Sequence, residues 1–428
     1  MPNMRTSVIL IVLLAVQLSF LAPGISYEQL LTLSGYLAIN FMSITMVLAA
    51  RPGWLEAPLG GLDRMYQLHK WTGILAVISA LAHWLIEMAD DGLEALFGSD
   101  RSLKEADFSG LLDSLQGGVE DLGEPVLYLL AFLAVITLIR WVPYYYWRYL
   151  HRVMPLIYLT LAAHAVLLAP LKWWQQPTGW LMALLMVGGA AASLQSLTGQ
   201  IAGSRRYKGL VQAVRQTSAN ITEVVCDMGK QWPGHRAGQF ALVTFNRSEG
   251  AHPFSLSSAD NDSGRLSFQI KALGDYTRKI PQQLRSGQAV TLEGPYGRFD
   301  PERGRTRAQQ IWVAGGIGIT PFLAALENRL INTTQRYPAV TLHYCTAGAE
   351  NDPMVARLKQ LTKQCPDVSL HIHDSLQGQR LTVEQLQIHD AKVDVWFCGP
   401  QGLAKALRSG LKQQSISLRF HQESFRFR

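Results

Sequence analysis

Long apolar runs dominate the first 203 residues, whereas the rest of the chain alternates short strand-like and helix-like patterns at ordinary charge density. A hydrocarbon core about 30 Å thick takes roughly 17–25 apolar residues to cross as a helix. Six runs approach or meet that length, at about 5–22, 28–50, 66–88, 125–142, 152–170 and 179–198. The pattern predicts a six-helix transmembrane bundle over 1–203. The first run also fits a cleaved signal peptide, because its start is weakly basic and its apolar core is short. Cleavage would leave five spans and put the termini on opposite sides.

Charge sets the orientation of such a bundle, since basic loops stay on the cytoplasmic side. Arg51, Arg64 and Lys70 flank one loop, Arg140, Arg148 and Arg152 another, and Arg205, Arg206 and Lys208 follow the last span. The stretch from Glu87 to Glu124 holds eleven acids against Arg101 and Lys104. The chain is therefore expected to be a multi-pass protein of the inner (plasma) membrane. Its termini and polar half lie in the cytoplasm, and its acidic loop faces outward. The net charge of +7 follows from this topology and points to membrane lipid, not nucleic acid, since no basic-aromatic binding pattern accompanies it. All four cysteines, Cys226, Cys345, Cys365 and Cys398, fall in the cytoplasmic half, so no disulfide framework is expected.

An ionisable side chain inside a bilayer is a functional candidate by default. Four histidines lie in the apolar half as two pairs, His69/His83 and His151/His164. At ~1.5 Å per residue the members of a pair stand about 20 Å apart along a helix. Two helices that each carry a high and a low imidazole can hold two stacked haems, each iron bound from both sides. His69 would pair with His151 near the cytoplasmic face, and His83 with His164 near the outer face. At ~100° per residue His69 and His83 share a face. His151 and His164 differ by about 140°, so a kink or altered turn is expected near His151–Pro155, where proline disturbs the winding. The other arrangement has the two haems approaching that helix from different sides. Irons with two histidine ligands have no open coordination position, so they pass single electrons and bind no substrate directly.

In the polar half, His252-Pro253-Phe254-Ser255 is followed by Lys271, then Gly274-Asp275-Tyr276-Thr277, then Gly294-Pro-Tyr-Gly297. A strand-like Ile311–Ala314 leads into Gly315-Gly316-Ile-Gly318-Ile319-Thr320-Pro321 and a helical pattern. Such a glycine-rich turn lets the backbone approach a pyrophosphate and aims a helix N-terminus at it, with proline tolerated early in the helix. Another strand ends in Cys398-Gly399-Pro400.

In this order the motifs resemble those of the NADPH oxidase and ferric reductase family, and the paired histidines extend the resemblance over nearly the whole chain. The resemblance implies an antiparallel β-barrel FAD domain over 204–304 and an α/β parallel-sheet NAD(P)-binding domain over 305–428. His252, Pro253, Phe254 and Ser255 would meet the flavin, with the Ser255 hydroxyl beside its reactive nitrogen. Lys271 and the Gly274–Thr277 segment would hold the diphosphate. The loop from Gly315 to Pro321, with Gly399 and Pro400, would hold the nicotinamide nucleotide beside the Cys398 thiol. Phe425 would cover the flavin ring and move for nicotinamide to stack, with Phe427 as the second candidate for that place.

The activity so implied is transfer of electrons from NADPH or NADH through FAD and two b-type haems to an extracytoplasmic acceptor, oxygen (giving superoxide) or a ferric chelate. Two departures matter. Glu87 stands four residues after His83, and no arginine lies at the outer end of the second span, which weighs against efficient oxygen reduction. Cys345-Thr346 replaces the family's Cys-Arg, leaving Ser375 and Arg380 to meet a 2′-phosphate. A second role is electron donation to a periplasmic partner reductase or a quinone-linked acceptor, with the acidic loop 88–123 as docking surface. A histidine-lined ion pathway without electron transfer would leave the flavin and nucleotide motifs unexplained.

Overall fold

A computed structural model describes residues 4–18, 26–100, 110–139, 141–142, 144–305, 307–414 and 416–423. The chain divides into two compact units, Met1–Gly203 and Ser204–Arg428.

The first unit is helical: α1 (Met4–Leu18), α2 (Tyr27–Ala49), α3 (Gly53–Leu59), α4 (Leu62–Met88), α5 (Asp90–Phe97), α6 (Leu111–Asp121), α7 (Gly123–Leu138), α8 (Tyr144–His151), α9 (Met154–Leu168), α10 (Leu171–Trp174) and α11 (Pro177–Leu197). Among the described residues five helices are long and apolar enough to span a membrane: Tyr27–Ala49, Leu62–Met88, Asp113–Leu138, Tyr146–Leu168 and Pro177–Leu197. Of the expected first span, the described residues form α1, 15 residues long. α2 is the most buried of the five. α4 and α9 both lean on α2 and on α7 rather than on each other, leaving room between them. Outer positions recur at helical spacing as exposed apolar side chains, such as Trp180, Leu184 and Val187 on α11 and Tyr128, Phe132 and Val135 on α7. That is the stripe a lipid-facing helix presents.

The acidic stretch is more ordered than a plain loop. α5 and α6 form within it, because Leu93, Leu96 and Phe97, and then Leu111, Leu115 and Val119, recur every three or four residues. Its near end is tied to the start of α2: the Tyr27 amide donates to the Gly98 carbonyl at 3.2 Å. The Glu28 carboxylate accepts from the Asp100 amide at 2.6 Å and from the Ser99 hydroxyl.

The expected disturbance near Pro155 is present. Helix α8 ends at His151, and α9 restarts at Met154 with Pro155 in its first turn. Arg152 and Val153 donate three residues back, to Tyr149 and Leu150, at 3.2 and 3.1 Å. Such tight winding advances about 120° per residue. Three or four residues of it reduce the angular mismatch of His151 and His164 from about 140° to about 60–80°.

The second unit contains two sheets. β1 (Arg206–Ser218), β2 (Ile221–Asp227), β3 (Phe240–Thr244), β4 (His252–Ser255), β5 (Arg265–Lys271) and β6 (Ala289–Tyr296) pair antiparallel in the order β4-β3-β6-β1-β2-β5. A single bridge from Leu256 to Phe268 brings the two edges together, and α12 (Asp275–Gln283) follows β5. β7 (Gln309–Gly315), β8 (Val340–Thr346), β9 (Val368–Asp374), β10 (Lys392–Cys398) and β11 (Ser417–Gln422) form a parallel sheet in the order β11-β10-β7-β8-β9. α13 (Thr320–Ile331), α14 (Pro353–Thr362) and α15 (Gln401–Leu411) are its crossovers. Phe299 stands edge-on to Phe322 and Trp396 at 5.6 and 5.3 Å, so the two sheets share part of one core.

On β8 and β9, three imidazoles stack. His343 lies 5.1 Å from His371 and 5.3 Å from His373 between ring centres, and its Nδ1 is 3.0 Å from His373 Nε2. Burial first, then its two neighbours, push the His343 pKa down to about 3. The unfolded chain takes up a proton at this residue below about pH 6.5 and the folded chain does not, so folding loses stability as pH falls from 6.5 toward 3. Unfolding of the full chain in urea should show a loss of about 1.4 kcal/mol per pH unit from His343 in that window. His343→Leu should flatten the slope by about that amount. An unchanged slope in the variant would show that His343 is already protonated in the fold.

Candidate functional site

The membrane unit brings its four histidines together in two pairs. His69 of α4 faces His151 of α8 with ring centres 6.1 Å apart and planes crossed at 71°. A metal held by both rings, with metal–nitrogen bonds of about 2.0–2.1 Å and each ring centre about 1.1 Å behind its nitrogen, would set that separation near 6 Å. His83 of α4 and His164 of α9 lie close enough to interact electrostatically.

The proton positions follow from the partners. His69 Nδ1 lies 3.0 Å from the Thr45 carbonyl, His83 Nδ1 2.9 Å from the Leu31 carbonyl, and His164 Nδ1 3.0 Å from the Val119 carbonyl. A carbonyl only accepts, so each Nδ1 carries the proton and each Nε2 keeps its lone pair. Thr45 and Leu31 are 14 residues apart on α2, the same interval as His69 and His83 on α4. The antiparallel helix thus serves both levels with its backbone. His151 is different: its Nδ1 is 3.4 Å from the Thr137 hydroxyl oxygen, which already donates to the Leu133 carbonyl at 2.8 Å and accepts from Trp147 Nε1 at 3.2 Å. With its hydrogen committed, that oxygen can only accept from His151, so this Nε2 is also free.

Space at the second pair is set by glycine. A Cβ on Gly123 would stand 3.0 Å from His164 Cε1, and one on Gly35 3.1 Å from His83 Cε1. Both rings lie against bare backbone that a larger residue would displace. Among the described residues no three His, Cys, Asp or Glu side chains gather as a metal site. Two imidazoles at each level would suit a metal whose other bonds come from a macrocycle.

In the second unit the sequence candidates converge on two adjoining turns and the strands that end there. His252, on β4, stacks on Tyr276 at 4.3 Å with planes 19° apart, and Phe254 and Ser255 follow on the same strand. Pro253 of this strand pairs with Leu242. Tyr276 sits in the first turn of α12, whose N-terminus is folded by Thr277: its hydroxyl oxygen accepts from the Leu273 and Gly274 amides at 3.0 Å each. Thr277 thus shapes the turn, leaving the backbone amides of Asp275, Tyr276 and Thr277 at the start of α12 to meet an anion. Burial, then Glu249, push the Tyr276 phenol up to about 12, so it stays neutral. Lys271 Nζ comes within 3.8 Å of a Cβ built on Gly316, placing that cation between the two turns.

The loop Gly315–Pro321 closes against Cys398–Pro400. A Cβ on Gly318 would stand 2.2 Å from the Cys398 carbonyl oxygen, so only glycine allows β7 and β10 to end side by side. The Thr320 hydroxyl donates to the Ile317 carbonyl at 3.1 Å, and Ile319 is buried beneath. Burial first, and then the Glu423 carboxylate, hold the Cys398 thiol far above its ordinary range, so it is a neutral thiol and not a thiolate nucleophile. Glu423 also reaches Gly297, standing 3.1 Å from a Cβ built there. Phe425 and Phe427 lie outside the described residues.

At the far end of the parallel sheet, the Asp374 carboxylate accepts from the Ala349 and Gly348 amides at 2.8 and 2.9 Å, bonds that lower its pKa. The Ser375 hydroxyl donates to the Thr346 carbonyl at 3.1 Å. These contacts hold together the two loops that carry Thr346 and Ser375, with Arg380 exposed beside them. Thr137 and Trp147 carried no sequence signal of function, and the carbonyls of Leu31, Thr45 and Val119 are invisible in side-chain identity.

Comparison with known proteins matches residues 34–162 to the ferric reductase like transmembrane component and residues 206–300 to an FAD-binding domain. The heme-dependent oxidative N-demethylase beta subunit of Ectopseudomonas mendocina is 30% identical over 221 residues, which is 50% of this chain and 68% of that protein. The carnitine monooxygenase reductase subunit of Escherichia coli is 25% identical over 222 residues, covering 50% and 66%. Respiratory burst oxidase homolog protein D of Arabidopsis thaliana is 27% identical over 212 residues, covering 43% and 22%. The chain thus spans about two thirds, or much less, of the length of these relatives. With a ferric-reductase-like membrane component joined to an FAD-binding domain, and plant respiratory burst oxidases among its relatives, the chain belongs to the NADPH oxidase and ferric reductase family of oxidoreductases.

Proposed function

We propose that this protein is a transmembrane oxidoreductase that draws electrons from cytoplasmic NAD(P)H and delivers them to an extracytoplasmic acceptor, using FAD and two b-type haems. The observation that carries the reading is the arrangement of the four intramembrane histidines: each Nδ1 is committed to a protein acceptor, each Nε2 is free, and one pair stands at the separation a shared iron requires. When bound, FAD takes up a hydride and releases single electrons, and haem iron with two histidine ligands accepts one electron at a time.

The chain's own residues would bind, orient and shield. His69 and His151 would hold the inner iron, His83 and His164 the outer one, with α2 fixing ring orientation from behind. His252, Phe254 and Ser255 would line the flavin. Lys271 and the amides of the Gly274–Thr277 turn that Thr277 leaves open, those of Asp275–Thr277, would neutralise its diphosphate. Gly315–Pro321 and Gly399–Pro400 would admit the nicotinamide nucleotide next to a Cys398 held as a neutral thiol, with Phe425 covering the flavin. Ser375 and Arg380 would meet the 2′-phosphate if NADPH is the donor. Basic loops support a cytoplasmic second unit, with α1 as the sixth span and the antiparallel sheet as a barrel.

For the acceptor, small molecules come first. The name of the plant relatives favours oxygen, and Glu87 next to the outer pair favours a ferric chelate. A protein partner is the second reading, favoured by α5 and α6, where exposed Leu96, Phe97, Leu111 and Leu115 adjoin carboxylates.

Purified full chain with FAD added should contain two haems per flavin. His83→Leu should abolish reduction of an outside acceptor while NAD(P)H still bleaches the flavin, and outside reduction persisting in that variant would sink the wire. Gly123→Val should push the His164 ring aside and lower haem content toward one per chain, read from absorbance. If NADPH is the donor, Arg380→Ala should cut the NADPH-to-NADH ratio of kcat/KM by about tenfold or more, the worth of a charge-assisted phosphate contact. An unchanged ratio would remove Arg380 from the site.

A further inference from the structure

The two histidine pairs differ most at the Nδ1 of His151, although the Ser34 hydroxyl, which donates to the Leu31 carbonyl, also stands 3.2 Å from His83 Nδ1. Three of the four rings donate from Nδ1 to a backbone carbonyl at 2.9–3.0 Å. The fourth, His151, donates at 3.4 Å to the Thr137 hydroxyl, and that oxygen is shared with Trp147 Nε1 while its own hydrogen goes to Leu133. Trp147 is held in place by stacking on His151 itself, ring centres 5.2 Å apart and planes 25° apart. A carbonyl polarises an N–H more than a hydroxyl oxygen that already serves another donor, and the longer distance weakens the bond further. Polarising Nδ1–H makes the imidazole a more electron-rich ligand, which favours the more highly charged, oxidised metal.

The geometry points to Thr137 and Trp147 as positioning residues that set the electron affinity of the His69/His151 centre. By rationing the hydrogen bond to His151, they leave this ligand less electron-rich than the other three, so the inner centre holds an electron more tightly than the outer one. Electrons arriving from the flavin side therefore rest on the inner centre, and the outer centre stays oxidised until an acceptor draws them on. This inference rests on the reading of the histidine pairs as haem ligands.

The test is optical redox titration of the purified full chain in a His83→Leu background, which leaves the inner centre as the one observed. Thr137→Val removes the acceptor and should raise the ratio of reduced to oxidised inner centre at a fixed applied potential by roughly three- to tenfold, the range of one hydrogen bond. Trp147→Phe keeps the stack but frees the Thr137 oxygen for His151, and should move the ratio in the opposite direction. Thr137→Ser should restore the starting value. A purely structural role would give shifts of one sign with loss of haem, whereas opposite signs at full haem content support the inference. Full haem content with unmoved ratios, or shifts of the same sign, overturns it alone. A chain that purifies without haem overturns both this inference and the reading beneath it.

Discussion

An imidazole buried in a bilayer must satisfy both of its nitrogens, and the membrane half of this protein is organised around that requirement. Water is absent there, so each ring has to find an acceptor for one nitrogen within the protein and a use for the lone pair on the other. The acceptors come chiefly from helix backbones: Thr45 and Leu31 on α2, and Val119 near the end of α6. A helical carbonyl can take a second hydrogen bond without leaving its own ladder, which makes it a rigid and inexpensive anchor. Each Nε2 keeps its lone pair, and in the proposed reading a metal is its partner.

Several features of the fold follow from that constraint. α2 is deeply buried because it must stand behind both histidine levels. α4 and α9 are held apart by packing on α2 and α7, and the space between them is where the rings meet. The break after His151 lets two histidines 13 residues apart turn toward a common side. The acidic segment is tied to the start of α2 through Glu28 and contributes the Val119 carbonyl. It is thus part of the frame of the second pair as well as a surface.

The histidine spacing, the apolar runs, the glycine-rich turns and their order could be read from residue identity. Gly318 and Cys398 are legible because the close approach of two strand ends demands a residue without a side chain and leaves a recognisable pattern around it. The phase conflict between His151 and His164 also pointed to its own resolution at Pro155. Other features were hidden for physical reasons. Backbone acceptors have no residue signature, so the anchors at Leu31, Thr45 and Val119 could not be named beforehand. Thr137 and Trp147 look like ordinary residues at the end of an apolar run until the fold sets them beside His151. α5 and α6 were obscured by their charge, although their apolar positions recur at helical spacing.

The most direct test of the account is low-temperature electron paramagnetic resonance of the oxidised, purified full chain. Two low-spin ferric signals in equal amount, with no high-spin signal, are predicted, because each iron would have two imidazole ligands and no open position. A high-spin signal, a single low-spin signal at full occupancy, or no iron signal at all would contradict the claim that the two histidine pairs each hold one haem.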